Sequence, residues 1–460
     1  MNSDSRNSGT PFPLRINSIE KFHLFDDADS FPNNLFCRFV FDGKADRDHA
    51  IEAIRFFEDR HPMARAVVEP FDGSIPRKWI EARTDQLPSS TIIWEQGRPA
   101  QPPFDFSPEP LDLTRQCGLQ IFVRQFENRT EAMVQVHHAV FDGGGGIQVI
   151  NDWLTAYNNL NNGRPADAGA KKLDPGQLIR RNHLGVFSRA YLRHIYKQPI
   201  ALFGAIKFLF RSFVRLGNRN VDSRSRKLRP AEITGRWLPP ESLSKLRSEA
   251  ERLGVHLNSI LLARLFYSVE AFRSGGDDQW IRVILPMSIR EVADRRLSAA
   301  NRSAVVQIDR RQSNFSDKDA FVQYLNREVG IIRLWQFSKL FLMVIRMMSV
   351  FPGWLKRSAR NPDSRGSLIF TNLGNPFSRN RNLHTREQRT GDEIVDTEVG
   401  NLVLREFDLS GPVKPGTPVN FTVQEHGPRL RITMHYDSRE ISESDAMRLF
   451  DVYETSLNDD

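Results

Sequence analysis

Seven consecutive residues, His137-His138-Ala139-Val140-Phe141-Asp142-Gly143, set two imidazoles and a carboxylate beside a run of four glycines, Gly143 to Gly146. A neutral histidine near its intrinsic pKa of about 6.5 takes a proton from a hydroxyl or amine as it attacks a carbonyl, an effect worth roughly 10²–10⁴-fold in rate. Asp142 either holds the turn by pairing with an arginine or orients the imidazole directly. The adjoining glycines make geometry the issue and favour the first role. Two plainer readings stand beside this one: a core histidine next to a solvated turn, and a metal site. Adjacent strand residues face opposite ways, so His137 and His138 do not readily share one ion, and no metal is expected. The glycines alone are a weak phosphate-loop signal, since neither a Gly-Lys-Ser/Thr ending nor a Gly-x-Gly-x-x-Gly spacing accompanies them.

The elements that must position these groups are legible. Over Glu131–His138, side chains that alternate as on a strand put Ala132, Val134, Val136 and His138 on one side, with Met133, Gln135 and His137 on the other. His138 thus ends an apolar row where a strand gives way to a loop. After the glycines, Ile150, Trp153, Leu154 and Tyr157 repeat at helical spacing. The local order is strand, histidine turn, glycine turn, helix. Further strands are predicted at 35–41, closed by Asp42-Gly43, and at 119–126, with a strand and turn region through Trp79, Ile92 and Trp94. A helix is predicted from Asp46 until His61-Pro62 ends it. The second half carries predicted helices over 240–253 and 259–272, and a strand over 280–285. A hairpin follows with arms 419–423 and 430–434 about Gly427-Pro428, and a last helix begins at Ser442 with Ala446, Leu449, Phe450 and Tyr453 on one face. The expected architecture is mixed α/β. It divides into an N-terminal subdomain over 1–175, a crossover with a basic amphipathic helix over 176–230, ending near Ser223-Arg224-Ser225-Arg226-Lys227, and a C-terminal subdomain over 231–460.

Composition bounds the rest. The chain has 460 residues, 40% hydrophobic and 26% charged, enough for a sizeable core; 64 Lys and Arg against 56 Asp and Glu give a net charge of +8. A basic balance suits acidic partners such as phosphorylated substrates or anionic membranes. No nucleic-acid-binding module accompanies it, so nucleic acid is not an expected partner. Cys37 and Cys117 form no framework, which fits a reducing, cytoplasmic setting, and no signal peptide is apparent before Pro11 and Pro13. Two apolar, basic stretches, 200–216 and 331–355, are too interrupted to span a bilayer. In the first, Lys207, Arg211 and Arg215 lie four apart as one cationic row; in the second, Arg333, Lys339 and Arg346 punctuate the apolar run. Both suit helices lying at a membrane interface, or equally helices packed on the protein with basic stems reaching water.

The segment from His137 to Gly143 resembles the HHxxxDG signature of the coenzyme-A-dependent acyltransferase superfamily, matching all four fixed positions. That superfamily includes chloramphenicol acetyltransferase, condensation domains of nonribosomal peptide synthetases, plant alcohol acyltransferases and wax ester synthases. Arg60-His61-Pro62-Met63-Ala64-Arg65 resembles its early RHPxLR-like segment, with Ala64 for a larger apolar residue. Leu285-Pro286-Met287-Ser288-Ile289-Arg290 resembles the PVSxR-like strand, and Thr371-Asn372-Leu373-Gly374 the SNLG-like segment. A DFGWG segment is missing; Arg405 to Gly411 only loosely occupies its place, which argues against the plant branch.

The resemblance implies two chloramphenicol-acetyltransferase-like subdomains in a V with a tunnel between them. It makes His138 the base and Asp142 structural, paired with Arg290 or Arg65, the former preferred. Thr371 or Asn372 would place a donor near the developing oxyanion. The implied reaction passes an acyl group from acyl-CoA or an acyl-carrier protein, as co-substrate rather than bound cofactor, to an alcohol or amine, and a hydrophobic or lipid acceptor is expected. There is no acyl-enzyme in this reading, because neither cysteine has a base nearby in sequence and no Gly-x-Ser-x-Gly elbow occurs. The alternatives are a condensation enzyme joining carrier-bound substrates through an amide, and a silent lipid-binding or membrane-attached scaffold.

Overall fold

The computed structural model describes residues 11–70, 76–82, 92–98, 110–183, 189–217, 232–273, 278–361, 365–378, 384–387 and 395–458. In chain order the first half contains β1 (Leu14–Arg15), α1 (Ser18–Asp26), β2 (Asn34–Asp42), α2 (Arg47–Arg60), β3 (Ala66–Val68), β4 (Lys78–Glu81), β5 (Ile92–Gln96), β6 (Leu119–Gln125), β7 (Arg129–His137) and α3 (Gly143–Asn161). Then come α4 (Arg189–Leu192) and α5 (Gln198–Phe210). The second half runs β8 (Glu232–Trp237), α6 (Pro240–Leu253), α7 (Leu257–Phe272), β9 (Ile281–Ser288), β10 (Ser303–Arg310), α8 (Lys318–Leu334), α9 (Ser338–Met348) and α10 (Pro352–Ala359). It closes with β11 (Leu368–Gly374), β12 (His384–Glu387), β13 (Val395–Val399), β14 (Leu402–Ser410), β15 (Val419–His426), β16 (Arg429–Tyr436) and α11 (Glu443–Asn458).

Two large sheets carry the fold. The first has the order β12-β13-β14-β2-β7-β6-β5, the second β10-β9-β11-β15-β16-β8, and a small sheet joins β1, β4 and β3. Each large sheet backs onto its own apolar core. Phe39, Val134, Val136, Phe57 and Trp153 belong to one; Val283, Phe421, Ile432, Phe450 and Tyr453 to the other. Burying side chains of this size is worth about 1.5–3 kcal/mol each.

The chain segments and the sheets do not divide at the same place. A boundary near residue 231 assigns everything after it to a C-terminal subdomain, yet β12, β13 and β14 join the N-terminal sheet, β14 antiparallel to β2. Within that pairing the register shifts between Leu404 and Glu406, so the buried set passes from Leu402 and Leu404 to Phe407 and Leu409. The bulge keeps one face of β14 against the first core although strict alternation fails at Arg405.

The expected membrane stretches also differ in detail. Helix α5 stops at Phe210; Arg211 sits 3.8 Å from Asp309 and stacks over Trp280, and Arg215 lies over the Phe213 ring. The cationic row of the 200–216 stretch is therefore broken, because the chain turns extended at Arg211 to reach Trp280. The stretch 331–355 is not one helix either: it covers the end of α8, all of α9 and the start of α10. Within it Lys339 is buried, its ammonium 2.6 Å from Glu291. Ser223 to Lys227 lies outside the described residues.

Candidate active site

The site is assembled where β7 ends. The register of β2 against β7 pairs Asn34 with His137, so Asn33 stands beside His138, whose N–H donates to the Asn33 carbonyl at 2.8 Å. The turn closes with the Val140 N–H on the His137 carbonyl at 2.9 Å, and Asp142 caps α3. Ala132, Val134 and Val136 face the first core while Met133 belongs to a separate small cluster, as alternation requires.

His137 looks away from His138. Its Nδ1 accepts the Ala139 N–H at 3.0 Å, which leaves the ring proton on Nε2, 3.4 Å from Asp27 Oδ2. Asp27 in turn accepts the Asn33 N–H at 2.8 Å, so His137 fastens the strand end to the loop after α1. The two imidazoles are committed to different partners.

His138 is half-buried and lies against His23 of α1, the rings stacked at 4.1 Å and 8° from parallel. From the second half of the chain, Asn301 donates to the His138 carbonyl at 2.6 Å and holds its Nδ2 3.2 Å from Nδ1. Asn301 Oδ1 accepts from the Ser303 N–H and hydroxyl, which fixes the amide this way round. Burial lowers the His138 pKa to about 4; a hydrogen bond to its own carbonyl and the Asp142 charge oppose the shift, while Lys414 and His137 add to it. The ring is neutral at pH 7. His23 is held well below the usual histidine range by burial first and then by the proximity of His138, Lys414 and His137. Asn33 Nδ2 lies 3.1 Å from both Nδ1 and the carbonyl of His23, so Nδ1 accepts and Nε2 carries the proton.

Asp142 does not touch the imidazole nitrogens. Arg290 meets it with two nitrogens at 2.6 and 2.7 Å, and the N–H groups of Gly145 (2.7 Å) and Arg302 (3.1 Å) complete its shell. Burial would raise this carboxyl, but the Arg290 charge and these hydrogen bonds outweigh it and hold the pKa below the usual range. Arg65 lies elsewhere, 3.3 Å from Asp59 and 3.2 Å from Glu81.

The glycine run is used unevenly. A side chain at Gly144 would stand 2.9 Å from Arg290, and one at Gly145 would stand 2.8 Å from the Ala300 carbonyl. A side chain at Gly143 would meet only Leu373, at 3.7 Å, and one at Gly146 would meet nothing within 4 Å beyond its own helix, among the described residues. Leu373 of β11 is thus the residue that reaches the glycine turn; Thr371 and Asn372 lie on the same strand. Asn372 Oδ1 is occupied by the Gly374 N–H at 2.8 Å. Cys37 and Cys117 are buried, and burial pushes both thiols up, Cys117 to about 12, so neither is a thiolate at neutral pH.

Three groups around His138 went unpredicted: His23, Asn33 and Asn301. Each contacts the turn from far away in sequence or from a loop without periodicity, so no local pattern singles it out.

No protein-family model and no curated protein matches the chain. Solved structures do. The first condensation domain of the calcium-dependent antibiotic synthetase, in complex with a substrate analogue, aligns with a TM-score of 0.68 at 16% identity over 98% of this chain and 96% of that one. The starter condensation domain of rhizomide synthetase in complex with C8-CoA gives 0.65 at 13% over 99% and 98%. Polyketide synthase associated protein 5 from Mycobacterium tuberculosis gives 0.62 at 12% over 97% and 98%. The chain has the condensation-domain fold, two chloramphenicol-acetyltransferase-like subdomains.

Proposed function

We propose that this protein is an acyltransferase that moves an acyl group from a thioester, on coenzyme A or a carrier protein, to a hydroxyl or amine, with His138 as the general base. The observation that carries this reading is a neutral, half-buried imidazole at a strand end, fixed by a stacked ring and an amide, beside a carboxylate fully engaged in holding the turn. The base role uses the His138 tautomer with its proton on Nδ1, which leaves a lone pair at Nε2. The acceptor loses its proton to Nε2 as its oxygen or nitrogen bonds to the thioester carbon. The tetrahedral oxyanion then collapses, the carbon–sulfur bond breaks, and the imidazolium returns the proton to the leaving thiolate. Thr371 or Asn372, on the strand end beside Gly143, is the proposed oxyanion neighbour. The C8-CoA in the rhizomide starter domain supports acyl-CoA as donor.

A hydrophobic or lipid acceptor, a cytoplasmic setting and a peripheral membrane contact complete the reading. No described helix is long and apolar enough to cross a membrane. A second reading, amide formation between carrier-bound substrates, is favoured by the condensation-domain neighbours.

Coenzyme A release, measured with acyl-CoA against panels of alcohols and amines, tests the proposal. His138→Ala is expected to lower turnover by about 10²–10⁴-fold with an unchanged circular dichroism spectrum. A variant that turns over normally would remove the base from the mechanism and favour the scaffold reading. Activity only with a loaded carrier protein would favour the second reading.

A further inference from the structure

Outside the site, apolar side chains stand exposed on elements that touch one another. Tyr196 (67%), Phe203 (69%), Met347 (66%), Val350 (70%), Phe351 (54%) and Trp354 (65%) lie on the α5 and α9–α10 segments, with α5 and α10 both packed on α9. Helical spacing puts Met343, Met347 and Val350 on one face, opposite buried Leu342 and Ile345. Lys207, Arg346, Lys356, Arg357 and Arg360 are exposed on or directly after the same elements, and the last three line one open depression with Gly353 and Asn361. No acidic residue occurs in the sequence from 175 to 221 or from 329 to 362.

We infer that the face formed by α5, α9 and α10 docks on an anionic lipid surface. Aromatic and apolar groups interspersed with cations, on stretches of sequence without acids, match a bilayer whose headgroups are negative and whose acyl boundary lies a few ångströms deeper. A second copy of this chain is a poor occupant. In a two-fold dimer the patch would meet itself, bringing one cationic surface against another with no acid within the patch to pair it. The face is also next to the candidate active site. Helix α1 packs on α9 and α10 through Phe25, Ile345 and Leu355, and on its other side presents His23 to His138. A narrow crevice between α1 and α9 has both Asn301, which holds His138, and Arg346 in its walls. Docking would therefore set the catalytic turn one helix behind the lipid surface. This delivery role rests on the acyl-transfer reading; docking itself does not.

The test is co-sedimentation of the full chain with vesicles of phosphatidylcholine, alone or mixed with phosphatidylserine. Binding is expected only to the mixed vesicles and is expected to weaken as salt rises. Lys356→Ala and Arg357→Ala are each expected to weaken it roughly fivefold. Trp354→Ser is expected to weaken it further, with coenzyme A release from a short, water-soluble acyl-CoA unchanged in all three. Equal binding to both vesicle types, binding to neither, or capture of an acidic protein in place of vesicles would overturn the inference. His138→Ala is expected to bind vesicles like the unaltered protein. Failure of the unaltered protein to bind mixed vesicles, with its turnover intact, would therefore sink this inference alone, and intact docking with turnover that ignores His138 would sink the acyl-transfer reading alone.

Discussion

Both Asp142 oxygens are occupied, by two Arg290 nitrogens and by the N–H groups of Gly145 and Arg302. The carboxylate is thereby a fastener between the halves of the chain, and it bears on His138 only through its charge. Taking away one member of a buried, hydrogen-bonded ion pair strands the other. Arg290→Ala is expected to cost about 3–5 kcal/mol of unfolding free energy, read by urea titration. Arg290→Lys is expected to recover only part of it, because an ammonium cannot engage both oxygens as a planar fork does. Unaltered stability in the alanine variant would mean that the pair does not hold the turn. At the same scale, His23 contributes a flat neutral wall against the His138 ring, a role no local pattern announces.

The element that decides the geometry is the junction of β7 with α3. Its four glycines look equivalent in the sequence, but the packing separates them. Gly145→Ala would press a methyl on the Ala300 carbonyl, at 2.8 Å, and must push the second half of the chain away from the turn. Gly146→Ala meets nothing and replaces the poorest non-proline helix former inside α3, so a gain of about 0.5–1 kcal/mol is expected. Thermal denaturation of the two variants should move in opposite directions, and equal shifts would contradict the assignment of the close approach to Gly145. Strand β14 teaches the complementary point. Its bulge at Arg405 shifts the buried set by one position, so a period of two cannot be followed through it.

For the whole molecule, buried histidines set the acid behaviour. Burial lowers His23, His61, His138 and His435, the last two to about 4. In an unfolded chain each titrates near 6.5. Between those values the unfolded state binds protons that the folded state refuses, so stability is full above pH 6.5 and falls as pH drops toward 4. Asp26, Asp27, Asp142 and Asp152 are held below their ordinary value, so their contribution is lost only at still lower pH. Glu328 and Glu440, raised by burial, oppose the histidine effect. Four histidines against two carboxyls leave the histidine direction dominant. The melting temperature is expected to decline steadily from pH 7 to pH 4.5, and a rise over that interval would show that these rings are not neutral in the fold.

Features that depend on neighbours along the chain are legible in the order of residues. It yielded the seven-residue motif, the strand leading into it (which ends at His137, one residue earlier than expected), the glycine junction, the hairpin about Gly427-Pro428 and the last helix with its buried Ala446, Leu449, Phe450 and Tyr453. These rest on alternation, helical periodicity and turn chemistry, which act over a few residues. Tertiary structure alone decided which arginine meets Asp142, which ring lies on His138, which sheet receives β14, and that Lys339 turns inward to Glu291 while Lys356, Arg357 and Arg360 face out. Such pairings join residues more than a hundred positions apart, or reverse the expectation for a charged side chain. They are fixed by packing and by the cost of leaving a buried charge unpaired, and neither is written in local spacing.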